Sequence, residues 1–183
     1  VSVVAPLTGQ SSTGHGITHA SSLKIKRFSE ENSYSGVAVG GRPADCMKYA
    51  LSTEWPSVYG TDSVPDVIFS GINAGANVGI HLYYSGTVAA VREAGFSGLP
   101  GIALSLYLHQ GERPLWDRVS EIAMEVVAPI INQGLMAGEV LNINIPASVA
   151  QCKNSPEVHF VPMSLSPLKS SFEQRFSPYG QEY

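Results

Sequence analysis

The chain has 183 residues, 44% of them hydrophobic and 14% charged, and 11 Lys+Arg against 15 Asp+Glu give a net charge of −4. That length and apolar content suit a single domain with its own core, and so little charge argues against intrinsic disorder. The acidic balance argues against wrapping a nucleic-acid duplex, no apolar run reaches the ~18 residues of a membrane span, and two cysteines, Cys46 and Cys152, make no disulfide framework, so a reducing, cytoplasmic setting is expected.

Residues 1–5 read as a buried strand closed by Pro6. Because position 1 is Val and the first residues show no signal-peptide pattern that would explain a processed start, the sequence is expected to open inside a fold. Residues 23–28 alternate Leu23 and Ile25 with Lys24 and Lys26, a half-buried strand. Residues 37–39 are a short strand ended by Gly40-Gly41. Pro43 suits a helix first turn, Asp45 suits the helix dipole, and Ala44, Met47, Tyr49, Ala50 and Leu51 give a short helix. Pro56, Gly60 and Pro65 make residues 53–65 a loop. Val67-Ile68-Phe69 reads as a strand buried on both faces.

A glycine-rich loop follows, then a helix over residues 87–96 and a buried strand over residues 102–106. Leu115, Val119, Ile122, Ala123, Val126, Val127 and Ile130 recur at three- and four-residue steps, which predicts a helix over residues 115–135 that Pro129 ends or kinks. In residues 140–145, Leu141, Ile143 and Ile145 point inward against Asn142 and Asn144. Buried strands alternating with helices predict a largely parallel α/β sheet, with the runs at 66–70 and 101–106 adjacent at its centre.

Ligands of open parallel sheets bind where strands lead into helices. Three such loops stand out: Gln10-Ser11-Ser12-Thr13-Gly14-His15-Gly16, the stretch from Ser70 to Gly79, and Tyr84-Ser85-Gly86-Thr87. Glycines at 71, 75 and 79 let backbone approach a ligand, but they fit neither a dinucleotide fingerprint nor a P-loop. A tight turn explains them equally well. Ser85-Gly86-Thr87 offers hydroxyls and free N–H groups at a helix start, which suits an anion or merely caps the helix.

Ser11 and Asn73 are neutral oxygen donors, and no Asp or Glu occurs in the three loops, although a Mg²⁺ shell normally includes a carboxylate. Asp66 starts its strand, roughly 16 Å from the strand's far end. His15, His19 and His81 show no metal-ligand spacing and read as structural, His15 being the least ordinary of them. Cys46 reads as a small buried hydrophobe, and no G-x-S-x-G elbow surrounds any serine.

Taken together these motifs resemble the SurE family. The resemblance rests on Val3-Val4-Ala5-Pro6, Ser11-x-Thr13-Gly14-His15-x-Ile17-Thr18, Gly41-Arg42-Pro43-Ala44-Asp45-Cys46, Ser70-Gly71-Ile72-Asn73-x-Gly75-Ala76-Asn77-x-Gly79 and Tyr84-Ser85-Gly86-Thr87-Val88. Leu141-Asn142-Ile143-Asn144-Ile145-Pro146 and Arg175-x-Ser177-Pro178-x-Gly180 continue it in collinear order. It implies a Rossmann-like α/β domain and a divalent-metal-dependent phosphatase of nucleoside monophosphates, a 5′/3′-nucleotidase. It further implies Mg²⁺ or Mn²⁺ held in part by Ser11 and Asn73, a phosphate pocket at Ser85, Gly86 and Thr87, and homodimers or tetramers formed by exchange of C-terminal segments.

The family's first βα unit, about 30 residues with a T-N-D-D-G loop, has no counterpart in the sequence. Residues 1–183 are therefore expected to form one SurE-like domain truncated at both ends. An impaired relative that binds phosphate or partner subunits without turnover is the alternative. An enzyme using a nucleotide cofactor is disfavoured, because the dinucleotide fingerprint is missing.

Overall fold

The structure, a computed structural model, describes residues 1–29, 34–109, 111–152, 156–167, 175–177 and 180–182. Its elements run β1 (Val3–Pro6), β2 (Ile25–Ser29), β3 (Ser35–Val39), α1 (Pro43–Tyr49), α2 (Trp55–Tyr59), β4 (Ile68–Ala74), α3 (Gly86–Phe96), β5 (Gly101–Tyr107), α4 (Trp116–Gln133), β6 (Val140–Pro146), β7 (Arg175–Ser177) and β8 (Gly180–Glu182). One three-stranded sheet has the order β1-β3-β2, with β1 parallel and β2 antiparallel to β3. A second, fully parallel sheet has the order β4-β5-β6. β7 and β8 pair as a small antiparallel ladder. Pro178 lies outside the described residues.

The two faces of β5 explain the packing of the second sheet. Ile102, Leu104 and Leu106 alternate onto one face and meet Val119, Ile122, Ala123 and Val127 of α4. Each such side chain contributes roughly 2 kcal/mol by leaving water. Ala103 faces the other way, against Val88 and Val91 of α3. Helix α3 can come this close because Gly101 has no side chain: a Cβ there would lie 2.8 Å from that of Val91. Val37 and Val39 of β3 and Cys46 of α1 form a separate small core. Helices α1 and α3 pack on each other and join the two sheets.

The expected α/β class and the parallel pairing of residues 66–70 with 101–106 hold, as Ile68 opposite Gly101 and Ser70 opposite Ala103 show. The position of β4 does not. Among the described strands it lies at an edge, and Phe69 is 44% exposed rather than buried on both faces. The first sheet is mixed, and β2 is largely exposed, its Ile25 side chain included.

Residues 53–65 are not all loop, since helical structure runs on to Tyr59. Pro56 is tolerated because it sits in the first turn of α2, after a widened π-helical turn over Ala50–Glu54 that the Trp55 N–H closes on the Ala50 carbonyl. Pro129 does not end α4, which continues to Gln133. The carbonyl of Glu125, which loses its donor, belongs to an exposed residue that water can reach.

Among the described strands β1 and β4 each pair on one side only. Residues of both line a single cavity of about 1210 Å³, floored by Pro43, Cys46 and Met47 from α1 and by Gly86, Thr87 and Ala90 from α3. Two sheet edges thus border a space with room for about 40 waters at ~30 Å³ each.

β4 also bends there. Its register with β5 shifts between Ser70 and Asn73, and a Cβ on Gly71, at φ +121°, would collide with the Leu104 carbonyl oxygen. Gly71→Ala is therefore expected to cost about 2 kcal/mol or more in urea unfolding, because neither the backbone angle nor the β5 backbone can yield cheaply.

Candidate active site

The cavity gathers the residues that carry the sequence argument. Ser11 reaches it from the loop after β1, Asn73 from the end of β4, and Ser85, Gly86 and Thr87 from the start of α3. Each stands where a strand gives way to a loop or a helix begins. The Asn73 Nδ2 donates to the Gly75 carbonyl at 2.7 Å, which leaves its amide oxygen as an acceptor. Ser85 is the N-cap of α3, its Oγ accepting from the Val88 N–H at 3.1 Å. That capping bond uses one lone pair of a buried hydroxyl, while Thr87 one residue inside the helix is half-buried.

The loop beyond β4 is held from below by an amide network. The Asn77 N–H donates to Asn144 Oδ1 at 2.8 Å, and its Nδ2 donates to the Ser105 hydroxyl at 2.7 Å. In return Asn142 Nδ2 and Asn144 Nδ2 donate to the Asn77 carbonyl at 2.8 and 3.0 Å. This explains why β6 carries asparagines at alternate positions: they fasten the loop while Leu141, Ile143 and Ile145 fill the core. Asn142 Oδ1 is buried without a protein partner, a place for an ordered water.

The Ser11 loop is fastened elsewhere. Asp45, 3% exposed on α1, accepts from the Thr18 N–H, the Thr18 hydroxyl and the Arg42 N–H, each at 2.8 Å. Burial alone pushes its carboxyl pKa up. The Thr18 and Arg42 N–H bonds, the Thr18 hydroxyl and the Arg42 charge together outweigh it and hold the pKa below the usual carboxylate value. Asp45, Asn77 and the β6 asparagines position the site, and sequence reading missed these roles. His15 Nε2 meets Glu93 Oε1 on α3 at 2.6 Å, away from the cavity. His19 is exposed, and His81 is exposed at the cavity rim. Burial pushes the Cys46 thiol up to about 12, so it stays protonated as a packing group.

For a divalent cation the donors present fall short. Ser11 and Asn73 supply neutral oxygens, and among the described residues no cluster of three His, Cys, Asp or Glu side chains could hold a metal. Among the described residues Asp66 is the one carboxylate lining the cavity, but it precedes β4, and Asn73 lies near the far end of that strand. Two uncharged oxygens offset neither the charge of the ion nor the loss of its water, so these residues alone do not fit Mg²⁺ or a similar ion.

The description "Survival protein SurE" belongs to the family model that matches residues 1–166. The chain belongs to the SurE family. The 5'-nucleotidase SurE of Rhodopirellula baltica is 36% identical over all of this chain and 69% of its own length. The corresponding protein of Maridesulfovibrio salexigens is 35% identical over all of this chain and 68% of its own length.

The crystal structure of SurE protein from Aquifex aeolicus superposes with a TM-score of 0.67 at 25% identity, covering 93% of this chain and 64% of that one. The chain thus spans about two thirds of the length of these SurE relatives. The Rossmann-like SurE fold expected from the motifs is borne out. No helix of the described residues is long and apolar enough to cross a membrane.

Proposed function

We propose that the cavity between β1 and β4 is this chain's part of the site of a metal-dependent 5′/3′-nucleotidase and acid phosphatase that hydrolyses nucleoside monophosphates. One observation carries the reading: Ser11, Asn73, Ser85, Gly86 and Thr87, from three separate loops, line the same space. Helix N–H groups and the Thr87 hydroxyl bind the phosphate there, aided by the positive end of the α3 dipole. Amides held by α3 need no reorganisation as charge develops on the phosphoryl oxygens.

A divalent cation, Mg²⁺ or Mn²⁺, would supply Lewis-acid chemistry in such hydrolysis, and Ser11 and Asn73 would give only the neutral part of its shell. A further strand between β1 and β4 with carboxylates at its end would complete both sheet and shell. On this reading residues 1–183 form a single domain short of that unit. The neutral donor set alone favours the second reading, a chain that binds phosphate without turnover.

Self-association fits residues 156–167, which contain no helix or strand. Their Phe160, Val161 and Leu165 are 84%, 78% and 81% exposed, an apolar surface suited to a second copy in a dimer or tetramer. The net charge of −4 disfavours a nucleic-acid duplex as partner. With Cys46 and Cys152 both free thiols, a cytoplasmic setting suits the chain.

Thr87→Ala tests the cradle. It is expected to weaken binding of inorganic phosphate or a nucleoside monophosphate by about 1 kcal/mol or more, the scale of a hydrogen bond to a charged group. Unchanged affinity in a calorimetric titration would remove Thr87 from the site.

A further inference from the structure

Residues 7–24, between β1 and β2, contain no helix or strand, yet they carry Ser11. A loop of this kind keeps a side chain in register with a helix only if something ties the two together. We propose that Glu93 is a positioning residue: through His15 it ties the Ser11 loop to α3 and so sets the gap between Ser11 and Ser85–Thr87. The proposal rests on the reading of the cavity given above.

Four contacts support it. His15 Nε2 donates to Glu93 Oε1 at 2.6 Å, and both side chains are mostly buried, at 19% and 13% exposure. The imidazole also stacks on Phe96, one turn further along α3, with ring centroids 5.5 Å apart. Next to it the Gly14 N–H donates to the Tyr84 carbonyl at 3.0 Å, immediately before the N-cap. Gly14 sits at φ +58°, and a Cβ there would approach the Tyr83 carbonyl to 3.1 Å, so the loop lies directly on the lead into α3.

The second oxygen of Glu93 faces Lys48 Nζ of α1 at 3.5 Å, which fixes the carboxylate from the other side. Neither His15 nor Glu93 lines the cavity, so neither touches the phosphate. Their effect on it passes through the loop and the helix that do. A part-buried bond of this length, closed over 78 residues of sequence, restrains the loop more than an exposed ion pair would.

The test uses the 183-residue chain and inorganic phosphate as the probe, with Glu93→Ala, Glu93→Gln and His15→Ala. Backbone hydrogen exchange reports the loop, and calorimetric titration reports phosphate affinity. Glu93→Ala and His15→Ala are each expected to speed exchange in residues 8–18 and leave residues 101–107 protected. Each is also expected to weaken phosphate binding at least about fivefold. Glu93→Gln keeps an acceptor for His15 and is expected to stay within about twofold of the unsubstituted chain.

Unchanged exchange in residues 8–18 would overturn the tether. Faster exchange there with unchanged phosphate affinity would overturn the positioning role. Faster exchange everywhere, β5 included, would reduce Glu93 to general support of the fold. Absence of phosphate binding by the unsubstituted chain overturns the reading of the cavity instead, and the two failures are separable because exchange in residues 8–18 needs no ligand.

Discussion

Asp45→Ala is expected to lower the free energy of unfolding by about 3 kcal/mol. Three donors converge on this carboxylate at 2.8 Å: the Thr18 N–H, the Thr18 hydroxyl and the Arg42 N–H. Hydrogen bonds to a charged group contribute roughly 1.5–3 kcal/mol each, and a shared acceptor makes them less than additive. The variant also removes the acceptor at the start of α1 and loosens the far end of the Ser11 loop.

The pH dependence follows from the direction of the shift. The folded-state pKa is depressed below the unfolded value. The contribution is therefore complete above the ordinary carboxylate value near ~3.9 and is lost as pH falls through the lower, folded value. Urea midpoints of the unsubstituted chain and Asp45→Asn should differ most near neutral pH and converge below about pH 4. A difference that persists undiminished in acid would contradict the assignment.

The parts of this fold that read well from sequence are those in which one residue period decides the outcome. The apolar run over residues 102–106 and the three- and four-residue spacing of Val119, Ile122, Ala123 and Val127 placed β5 and α4, and these elements form the largest core. The candidate site was legible because Ser11, Asn73 and Ser85–Thr87 each sit where a strand meets a loop or a helix begins, and all five line one cavity.

What did not read well depends on contacts between residues distant in sequence. Asp45 looks like an ordinary first-turn acid, yet two of its bonds go to Thr18, 27 residues earlier. Asn142 and Asn144 look like the solvent face of a strand, but they hold the Asn77 carbonyl. Pro56 marks a loop in most settings and here opens α2, because the preceding turn widens to meet it. The run Val67-Ile68-Phe69 has the composition of a central strand but borders the cavity on one side, so composition misjudged the burial of Phe69.

Residues 1–183 as an isolated polypeptide are expected to bind Mg²⁺ or Mn²⁺ weakly and to hydrolyse nucleoside monophosphates at best marginally. Mg²⁺ surrenders its water reluctantly and is usually held by one or two carboxylates. Here Ser11 and Asn73 bring no charge, and Asp66 stands at the wrong end of β4. Lewis-acid stabilisation of a transferring phosphoryl group is worth several kcal/mol, so its loss lowers the rate by roughly a thousandfold. The amides at the start of α3 do not depend on the metal, and phosphate binding should survive where turnover does not. Separation of the two properties is what the neutral donor set implies.

The most direct test is metal-dependent phosphate release from a nucleoside monophosphate. It would be run side by side on residues 1–183 and on the same residues preceded by a strand-helix unit that carries paired aspartates at its strand end. Near-background release is expected from the first at every Mg²⁺ or Mn²⁺ concentration, and recovery of metal-dependent turnover from the second. Equal, metal-dependent turnover by the two would contradict that expectation, because a carboxylate already within residues 1–183 would then be completing the site.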